Sequence, residues 1–348
     1  MSETERRWAQ QALARMRAAR AAEEPVPLRR YPVPEGWGVA LYFRDESRRP
    51  AGSIKHRLVQ RLFEDAVARG DVRQDTTVVE AGAGNAAVAT AYFAQLIGVP
   101  SIAVVPGKTS AAKRARIARY GGVCHPFDPP AAIYDEAARL AVELGGHYLD
   151  HLHGAAHAED WRGPDSVGAS LLAQVVAAHG GPPAWAVVGV GTGMTSATLG
   201  RHLRYHGYPT RLAVVDPENS AYWPSWVTGY AGYGTGMPSR IEGIGRPRVE
   251  PAFLPSVIDL VMPVPDAASV AAMRHLATAT GWSAGPSTGA NLWGALRLVH
   301  RMREGGEKGS IATVIGDGSP DERRLDPGPY AETIDRFLAG GTWTEPTP

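Results

Sequence analysis

Short runs of apolar residues alternate along this chain with longer segments in which apolar and polar residues recur with the period of a helix. Continuous apolar runs predict strands that are buried on both faces, as in parallel sheets covered by helices. The predicted strands cover residues 76–80, 101–105, 185–189, 211–215 and 311–315. The predicted helices cover residues 58–69, 86–97, 110–120, 131–144, 195–205, 267–281 and 289–305. This alternation predicts an α/β fold with largely parallel sheets.

Three segments depart from this rhythm. Residues 1–24 are rich in Arg, Ala and Glu and predict an exposed amphipathic helix. Residues 25–40 contain many prolines, which favours an extended segment. Residues 222–248 combine glycines, prolines and aromatic residues, and they predict a long irregular loop of the kind that often carries a binding site.

The composition is typical of a globular protein and limits the classes of partner that can be expected. The chain has 348 residues, 44% hydrophobic and 20% charged, which is enough for about two domains. A formal net charge of +1 gives no electrostatic reason to expect nucleic acid or an anionic membrane as a partner. No apolar run is long enough to span a membrane and no signal core is evident, so we expect a cytoplasmic protein. Cys124 is the only cysteine, which excludes an internal disulfide and a cysteine cluster for a metal.

The first candidate for chemistry is Lys55, in the run PAGSIKHR of residues 50–57. A turn-prone segment precedes it and a helical segment follows, so its amine is predicted at the first turn of a helix. A lysine so placed can form a Schiff base with a carbonyl cofactor when part of the amine is neutral. The run alone does not separate this interpretation from that of a solvated surface lysine.

The first glycine turn is GAGNAA, residues 82–87. It matches a dinucleotide fingerprint between a strand and a helix, so a nicotinamide oxidoreductase is one hypothesis. Such a site usually has an acidic residue at the end of the next strand, where Pro106, Gly107 and Lys108 stand instead. The exposed amides at the start of the helix favour another anion, such as a substrate carboxylate.

Two further turns also precede predicted helices. Residues 189–196, GVGTGMTS, combine glycines with hydroxyl side chains, which suits a phosphate. The Gly-Lys-Ser/Thr of a P-loop is missing, so the phosphate need not belong to a nucleotide, and a tight turn without a ligand remains an alternative. Residues 285–291, GPSTGAN, taken alone indicate only a serine or threonine N-cap.

Taken in order, these runs resemble the motifs of the fold-type II pyridoxal-phosphate enzymes, the relatives of cysteine synthase and cystathionine β-synthase. PAGSIKHR resembles the lysine motif of that family. The runs EAGAGN, GTGMT and IEGIG, at residues 80–85, 191–195 and 241–245, are similar to its substrate loop, its phosphate loop and a segment that faces the cofactor. The resemblance covers about residues 25–320. It is nearest to the actinobacterial L-cysteine desulfhydrase branch, through the stretches 160–163, 216–220, 239–248 and 287–289.

The resemblance implies a fold similar to the tryptophan synthase β-subunit, with two doubly wound α/β domains. Residues 48–158 would form a smaller N-terminal domain with the substrate loop. Residues 20–47 and 159–335 would form a larger domain with the phosphate loop, and residues 1–19 would form a helical extension. Because relatives of this family dimerise, the resemblance also implies a homodimer.

The resemblance further implies pyridoxal 5'-phosphate as the cofactor and an amino acid as the small-molecule substrate. Lys55 would hold the cofactor and act as acid and base on the substrate. Asn85 would hydrogen-bond the ring hydroxyl oxygen, and Ser287 would face the pyridine nitrogen. The phosphate would be bound by Gly191, Thr192, Gly193, Met194 and Thr195. The substrate would be bound by Gly82, Ala83, Gly84, Ala86 and His151.

The neutral side chain of Ser287 points to a reaction class. A serine does not hold the pyridine nitrogen protonated, as a carboxylate does, so the ring withdraws electrons more mildly and favours elimination over transamination. We therefore expect β-elimination from cysteine or a related β-substituted L-amino acid, through aminoacrylate to pyruvate and ammonia. One alternative is a β-replacement synthase that makes a specialised amino acid. Another is a protein that keeps the fold with lost or altered catalysis.

The substrate loop departs from the family pattern. Gly82, Ala83 and Ala86 stand where the family has hydroxyl side chains beside its Gly-Asn pair. Their absence would remove two or three hydrogen bonds to a carboxylate, each worth about 1.5–3 kcal/mol. His151 stands where cysteine synthases commonly have a glutamine that contacts the carboxylate, so it is a candidate to restore that contact. Met194 replaces a family glycine, which restricts the phosphate turn without removing its amides.

Overall fold

The chain forms two sheets, each covered by helices. The computed structural model describes residues 2–158, 160–318 and 326–346. The strands are β1 (Leu28–Tyr31), β2 (Val39–Asp45), β3 (Val78–Ala81), β4 (Ser101–Pro106), β5 (Val123–Phe127), β6 (His147–Tyr148), β7 (Trp185–Gly189), β8 (Arg211–Pro217), β9 (Leu260–Val264) and β10 (Gly309–Ile315). The helices are α1 (Glu3–Ala21), α2 (Lys55–Arg69), α3 (Asn85–Ile97), α4 (Ala111–Ala118), α5 (Ile133–Glu143), α6 (His151–Gly154), α7 (Val167–His179), α8 (Met194–Tyr205), α9 (Tyr222–Thr228), α10 (Asp266–Thr280), α11 (Pro286–Glu304) and α12 (Gly328–Leu338).

The contacts of the chain divide it into two compact units. The smaller unit comprises Met1–Pro25 and Arg49–Ala158, and the larger unit comprises Val26–Arg48 and Glu159–Pro348. The smaller unit thus takes in residues that the sequence analysis set apart as an extension. Residue 159, where the larger domain is predicted to resume, and residues 319–325 within it lie outside the described residues.

The larger unit is built on the strand order β1-β2-β10-β7-β8-β9. All neighbours pair in parallel except β1, which runs antiparallel to β2 at the edge of the sheet. β2 is buried along its whole length and pairs with β10 from Val39 opposite Gly309 onward. Helix α11 packs closely on the sheet, because a Cβ on its Gly294 would lie 2.4 Å from a methyl group of Val215. Such burial on both faces explains the continuous apolar runs.

The smaller unit has the strand order β5-β4-β3-β6, with every neighbouring pair parallel. Its core joins α1, α2 and α3 through residues such as Met16, Phe63 and Phe93, each almost fully buried. α2 forms because its apolar residues recur on one face, and it ends at Gly70, whose φ of +83° suits a glycine cap. The predicted α/β class with largely parallel sheets is confirmed.

The structure contains elements that were not predicted, among them α7, β9 and α12, and it differs from the prediction in each of the three segments that depart from the α/β rhythm. α1 is not simply exposed, since Ala12 and Met16 are buried in the core of the smaller unit. The proline-rich segment contains β1, which is possible because an edge strand pairs on one side only. The predicted irregular loop begins with helix α9. None of the helices that the structure describes is both long and apolar enough to cross a membrane.

Candidate active site

Lys55 is the first residue of α2 and is partly buried. We call the turn before it, residues 49–54, the lysine turn. Gly52 has a φ of +77°, which glycine adopts without strain, and apart from its chain neighbours no atom of the described residues lies within 4 Å of the position of a Cβ there. The Ser53 Oγ accepts a hydrogen bond from the backbone N–H of Lys55 at 3.3 Å. The helix therefore begins at the lysine itself, three residues before the predicted Leu58.

A buried ion-pair cluster around Glu23 holds the lysine turn. The Glu23 carboxylate lies 2.6 Å from Arg49, 3.0 Å from His56 and 3.4 Å from Arg57. His56 accepts the backbone N–H of Ala51 at Nδ1, so its Nε2 carries the proton that it donates to Glu23. Burial alone would raise the pKa of Glu23, but the hydrogen bond from His56 and the charge of Arg57 lower it to about 2. Burial lowers the pKa of His56, in agreement with this neutral form.

The substrate loop, residues 82–84, joins β3 to α3. Gly82 has a φ of +111°, and its N–H donates to the carbonyl oxygen of Val104 at 2.8 Å. Gly84 is the N-cap of α3 and offers no side chain to the N–H groups of the first turn. Ala83 is partly buried and Ala86 is 7% exposed. No side chain at these four positions can bind an anion, and the N–H of Gly82 is engaged by Val104, so an anion would have to be bound by the N–H groups of Ala83, Gly84 and Ala86.

His151 begins α6, and its Nδ1 lies 3.0 Å from Oε1 of Glu80 in β3. The same oxygen accepts the backbone N–H of Ala81 at 2.7 Å. An ionised carboxylate only accepts, so His151 is the donor. The second oxygen of this buried carboxylate has no partner among the described residues. The structure thus brings the predicted His151 to the strand end that carries the substrate loop, through a glutamate that the sequence analysis did not single out.

The phosphate turn, residues 190–193, joins β7 to α8. A Cβ on Gly191 would lie 2.2 Å from the carbonyl oxygen of Gly243, and one on Gly193 would lie 2.5 Å from the backbone nitrogen of Phe253. Gly193 also has a φ of +91° and caps α8 without a side chain. Both positions therefore require glycine, and the first N–H groups of α8 suit an anion.

Three side chains, one in this turn and two in the first turn of α8, are also among the predicted phosphate ligands. Thr192 is buried, and its Oγ1 accepts the backbone N–H of Met194 at 3.2 Å. Met194 is the first residue of α8 and is 5% exposed, while Thr195 is partly buried. The structure brings Gly191, Thr192, Gly193, Met194 and Thr195 together at one helix start.

Two neighbouring segments of the larger unit form hydrogen bonds with backbone carbonyl groups of the phosphate turn. The N–H of Gly245 donates to the carbonyl oxygen of Val190 at 2.7 Å, and the Tyr222 hydroxyl donates to the carbonyl oxygen of Gly191. The predicted segment 241–245 therefore lies against the turn. Tyr222, which begins α9 and is fully buried, was missed because the sequence places it only in a loop.

Ser287 is the second residue of α11 and is 8% exposed. Gly285 is the N-cap of α11, so Ser287 lies inside the helix and does not act as the N-cap that the sequence alone suggests. Asn291, one turn later, donates to the carbonyl oxygen of Val314, and its Oδ1 would lie 3.4 Å from a Cβ on Gly189. The start of α11 therefore borders the strand that leads into the phosphate turn.

Comparison with known proteins identifies the class of enzyme to which the chain belongs. The chain belongs to the pyridoxal-phosphate dependent enzyme family, whose model matches residues 19–317. The predicted family and cofactor are thereby confirmed.

Individual relatives narrow the class further. The chain is 45% identical to an L-cysteine desulfhydrase of Mycobacterium tuberculosis, with 97% of this chain and 96% of that protein covered. It is 29% identical to a cysteine synthase of Helicobacter pylori, with 86% and 93% covered. A crystal structure of O-ureido-L-serine synthase matches with a TM-score of 0.74 and 25% identity, over 86% of this chain and 91% of that one. The predicted reaction class, β-elimination or β-replacement with pyridoxal phosphate, is the class of these relatives.

The residues present fit the cofactor. The phosphate turn has glycines where a Cβ would collide with neighbouring backbone, and it ends in the uncapped amides of α8. Ser287, which is only 8% exposed, has a hydroxyl that can donate to a ring nitrogen. Lys55 supplies a partly buried amine at a helix start.

Proposed function

We propose that this protein removes the β-substituent of L-cysteine, or of a related β-substituted L-amino acid, by pyridoxal-phosphate-dependent elimination. Elimination from cysteine, with the uptake of one water molecule, releases sulfide, pyruvate and ammonia. The observation that carries the proposal is the 45% identity to an L-cysteine desulfhydrase over 97% of the chain. The match covers 96% of the desulfhydrase as well, so it is not confined to one part of either protein.

The phosphate turn and the start of α11 would hold the phosphate and the ring nitrogen of the cofactor. Gly191, Thr192, Gly193, Met194 and Thr195 would bind the phosphate through the amides and hydroxyls at the start of α8. Ser287 would donate its hydroxyl to the pyridine nitrogen without protonating it. The bound cofactor supplies the electron withdrawal that acidifies the substrate Cα–H. A neutral partner keeps that withdrawal moderate, which supports elimination over transamination.

Residues at the starts of α2 and α3 would transfer the Cα proton of the substrate and bind its carboxylate. Lys55 would hold the cofactor through Nζ, and the same amine would take the Cα proton and deliver a proton to the leaving group. Asn85 would hydrogen-bond the ring hydroxyl oxygen. The backbone N–H groups of Ala83, Gly84 and Ala86 would bind the substrate carboxylate at the start of α3, and Gly82, whose own N–H is bound to Val104, would fix the loop that presents them.

His151 would add a side-chain contact to that backbone site. Its Nδ1 proton is engaged by Glu80, so a hydrogen bond from Nε2 to a carboxylate requires the doubly protonated imidazolium. The family hydroxyls that are missing from the loop make this contact more important here than in relatives that keep them.

The test is a product assay with a matched lysine control. The purified holoenzyme should convert L-cysteine to sulfide, pyruvate and ammonia in equal amounts. Lys55→Ala should lose both the visible absorption of the bound cofactor and the activity, since no other group makes that bond. Lys308→Ala, at an exposed lysine of the larger unit, should keep both. Sulfide release that persists in Lys55→Ala would contradict the proposal.

β-Replacement is the second candidate, because a cysteine synthase and O-ureido-L-serine synthase are also similar to this chain. In that case the enzyme would form cysteine from O-acetylserine and sulfide faster than it destroys cysteine. The ratio of these two rates in one preparation decides between the candidates. A preparation that binds the cofactor and catalyses neither reaction would favour lost or altered catalysis.

We also propose that the enzyme works as a homodimer in the cytoplasm. The support is the resemblance to the family, whose relatives dimerise. Sedimentation equilibrium of the holoenzyme should give twice the 37.0 kDa mass of the chain, and a monomeric mass would contradict the proposal.

A further inference from the structure

A charged hydrogen bond links Asn85 to a residue that the sequence analysis did not single out. Asn85 is the first residue of α3 and is 9% exposed. Nη2 of Arg116, on α4, lies 2.6 Å from Oδ1 of Asn85. A hydrogen bond from a guanidinium is shorter and roughly twice as strong as one between neutral groups. The buried amide is therefore held firmly at one end.

The chemistry of the guanidinium decides which end of the amide it holds. The oxygen and nitrogen of an asparagine amide have nearly the same shape, so their assignment normally depends on the surrounding hydrogen bonds. Arg116 has only N–H donors and is always charged. A flipped amide would place its NH₂ group against these donors, so Oδ1 must face Arg116. The Nδ2 group, which can only donate, is then fixed on the opposite side.

We propose that Arg116 is a positioning residue that orients the amide of Asn85 so that Nδ2 donates to the ring hydroxyl oxygen of pyridoxal phosphate. This inference rests on the role proposed above for Asn85. The ring oxygen accepts a hydrogen bond when it is ionised, and a flipped amide would present a second acceptor to it. The cation on Oδ1 also polarises the amide and strengthens the donor at Nδ2.

The test compares single and double variants in the absence of substrate. Arg116→Met keeps most of the aliphatic length of the side chain and removes its donors, and Asn85→Ala removes the amide. Arg114→Met, at an exposed arginine of the same helix, is the matched control for charge. The apoproteins are titrated with pyridoxal phosphate, and the affinity and the absorption bands of the bound cofactor are measured with the melting temperature of each apoprotein.

We expect Arg116→Met to weaken cofactor affinity about tenfold, the effect of one charge-assisted hydrogen bond, and to change the ratio of the absorption bands. Arg114→Met should match the wild type. In the Asn85→Ala background, Arg116→Met should cause no further change in affinity or spectrum. Arg116→Lys, which keeps the charge with fewer donors, should lie between the wild type and Arg116→Met, and it replaces Arg116→Met if the latter does not fold.

Several results would overturn the inference. Equal losses of affinity from Arg116→Met with and without Asn85 would mean that the arginine acts elsewhere. A lower melting temperature with unchanged absorption bands would mean that it only stabilises the packing of α3 on α4. If Asn85→Ala alone leaves affinity and spectrum unchanged, the assignment of Asn85 fails, whereas sulfide release from cysteine by the wild type still decides the proposed reaction.

Discussion

The lysine turn and the phosphate turn are both glycine-containing turns that start a helix, but they are held in different ways. Charged side chains hold the lysine turn, through the contacts of Glu23 with Arg49, His56 and Arg57. Backbone contacts and neutral hydrogen bonds hold the phosphate turn. Glycine has a different purpose in each. Gly52 supplies a positive φ beside open space, whereas Gly191 makes room for a neighbouring carbonyl.

This difference predicts how the stability of each turn responds to added side-chain volume, to pH and to salt. A turn fixed by close backbone packing responds to added volume and little to pH or salt. A turn fixed by a buried carboxylate depends on that carboxylate staying ionised and paired. Substitutions in the two turns should therefore separate steric effects from electrostatic ones.

The largest expected effect is that of Gly191→Ala in the phosphate turn. The new Cβ would lie 2.2 Å from the carbonyl oxygen of Gly243, so the backbone must move. We expect a loss of about 4 kcal/mol in the free energy of unfolding and loss of bound cofactor on gel filtration. Gly52→Ala is the control. It meets no atom within 4 Å and should cost about 1 kcal/mol through its positive φ alone. Equal costs at the two glycines would remove the distinction.

The second largest expected effect is the loss of unfolding free energy when the charge of Glu23 is removed. Glu23→Gln leaves Arg49 and Arg57 without their buried carboxylate, so we expect a loss of about 2–3 kcal/mol at neutral pH. The measurement is chemical denaturation followed by circular dichroism. A loss below about 0.5 kcal/mol would show that the cluster does not hold the lysine turn.

The pH dependence of this loss has a definite sign. The pKa of Glu23 is lowered from 4.5 to about 2 in the folded protein, so its contribution is complete above pH 4.5 and is lost as the pH falls toward 2. The stability difference between the wild type and Glu23→Gln should therefore shrink between pH 5 and pH 3. A difference that stays constant over this range would contradict the ion-pair account.

The smallest effect is that of Tyr222→Phe. The variant keeps the buried ring and removes the hydroxyl, with its hydrogen bond to the carbonyl oxygen of Gly191 and its hydrogen bond with the backbone of Glu250. We expect a loss of about 1 kcal/mol that does not change between 0.05 and 0.5 M salt, since neither partner is charged. Glu23→Gln measured in the same buffers is the comparison. If the stability loss of Tyr222→Phe depended strongly on salt, the phosphate turn would not differ from the lysine turn in the way described.

Most of the helices and strands could be predicted because their signals are local. The apolar runs of β4, β7 and β10 and the glycine turns of residues 82–84 and 190–193 are visible in short windows of sequence. Burial on both faces makes the strands apolar throughout, and the turn before α8 needs glycine for space, so sequence and structure agree there.

The residues that hold the site could not be predicted in the same way. Glu23 lies 33 residues along the chain from the histidine that it pairs with, and Glu80 lies 71 residues from His151. Such pairs arise only when packed elements bring their side chains together, so no short sequence window contains the signal. α9 was missed because Pro224 stands in its first turn, where a helix tolerates proline.

The pairing of β2 with β10 sets an order of events during synthesis. The ribosome makes β2 before every element from α2 to α6, and it makes β10 near the other end of the chain. The smaller unit can therefore fold as it emerges, whereas β2 waits with an apolar, unpaired edge until Gly309–Ile315 is available. During that interval the nascent chain is most open to wrong strand pairing and to chaperone binding.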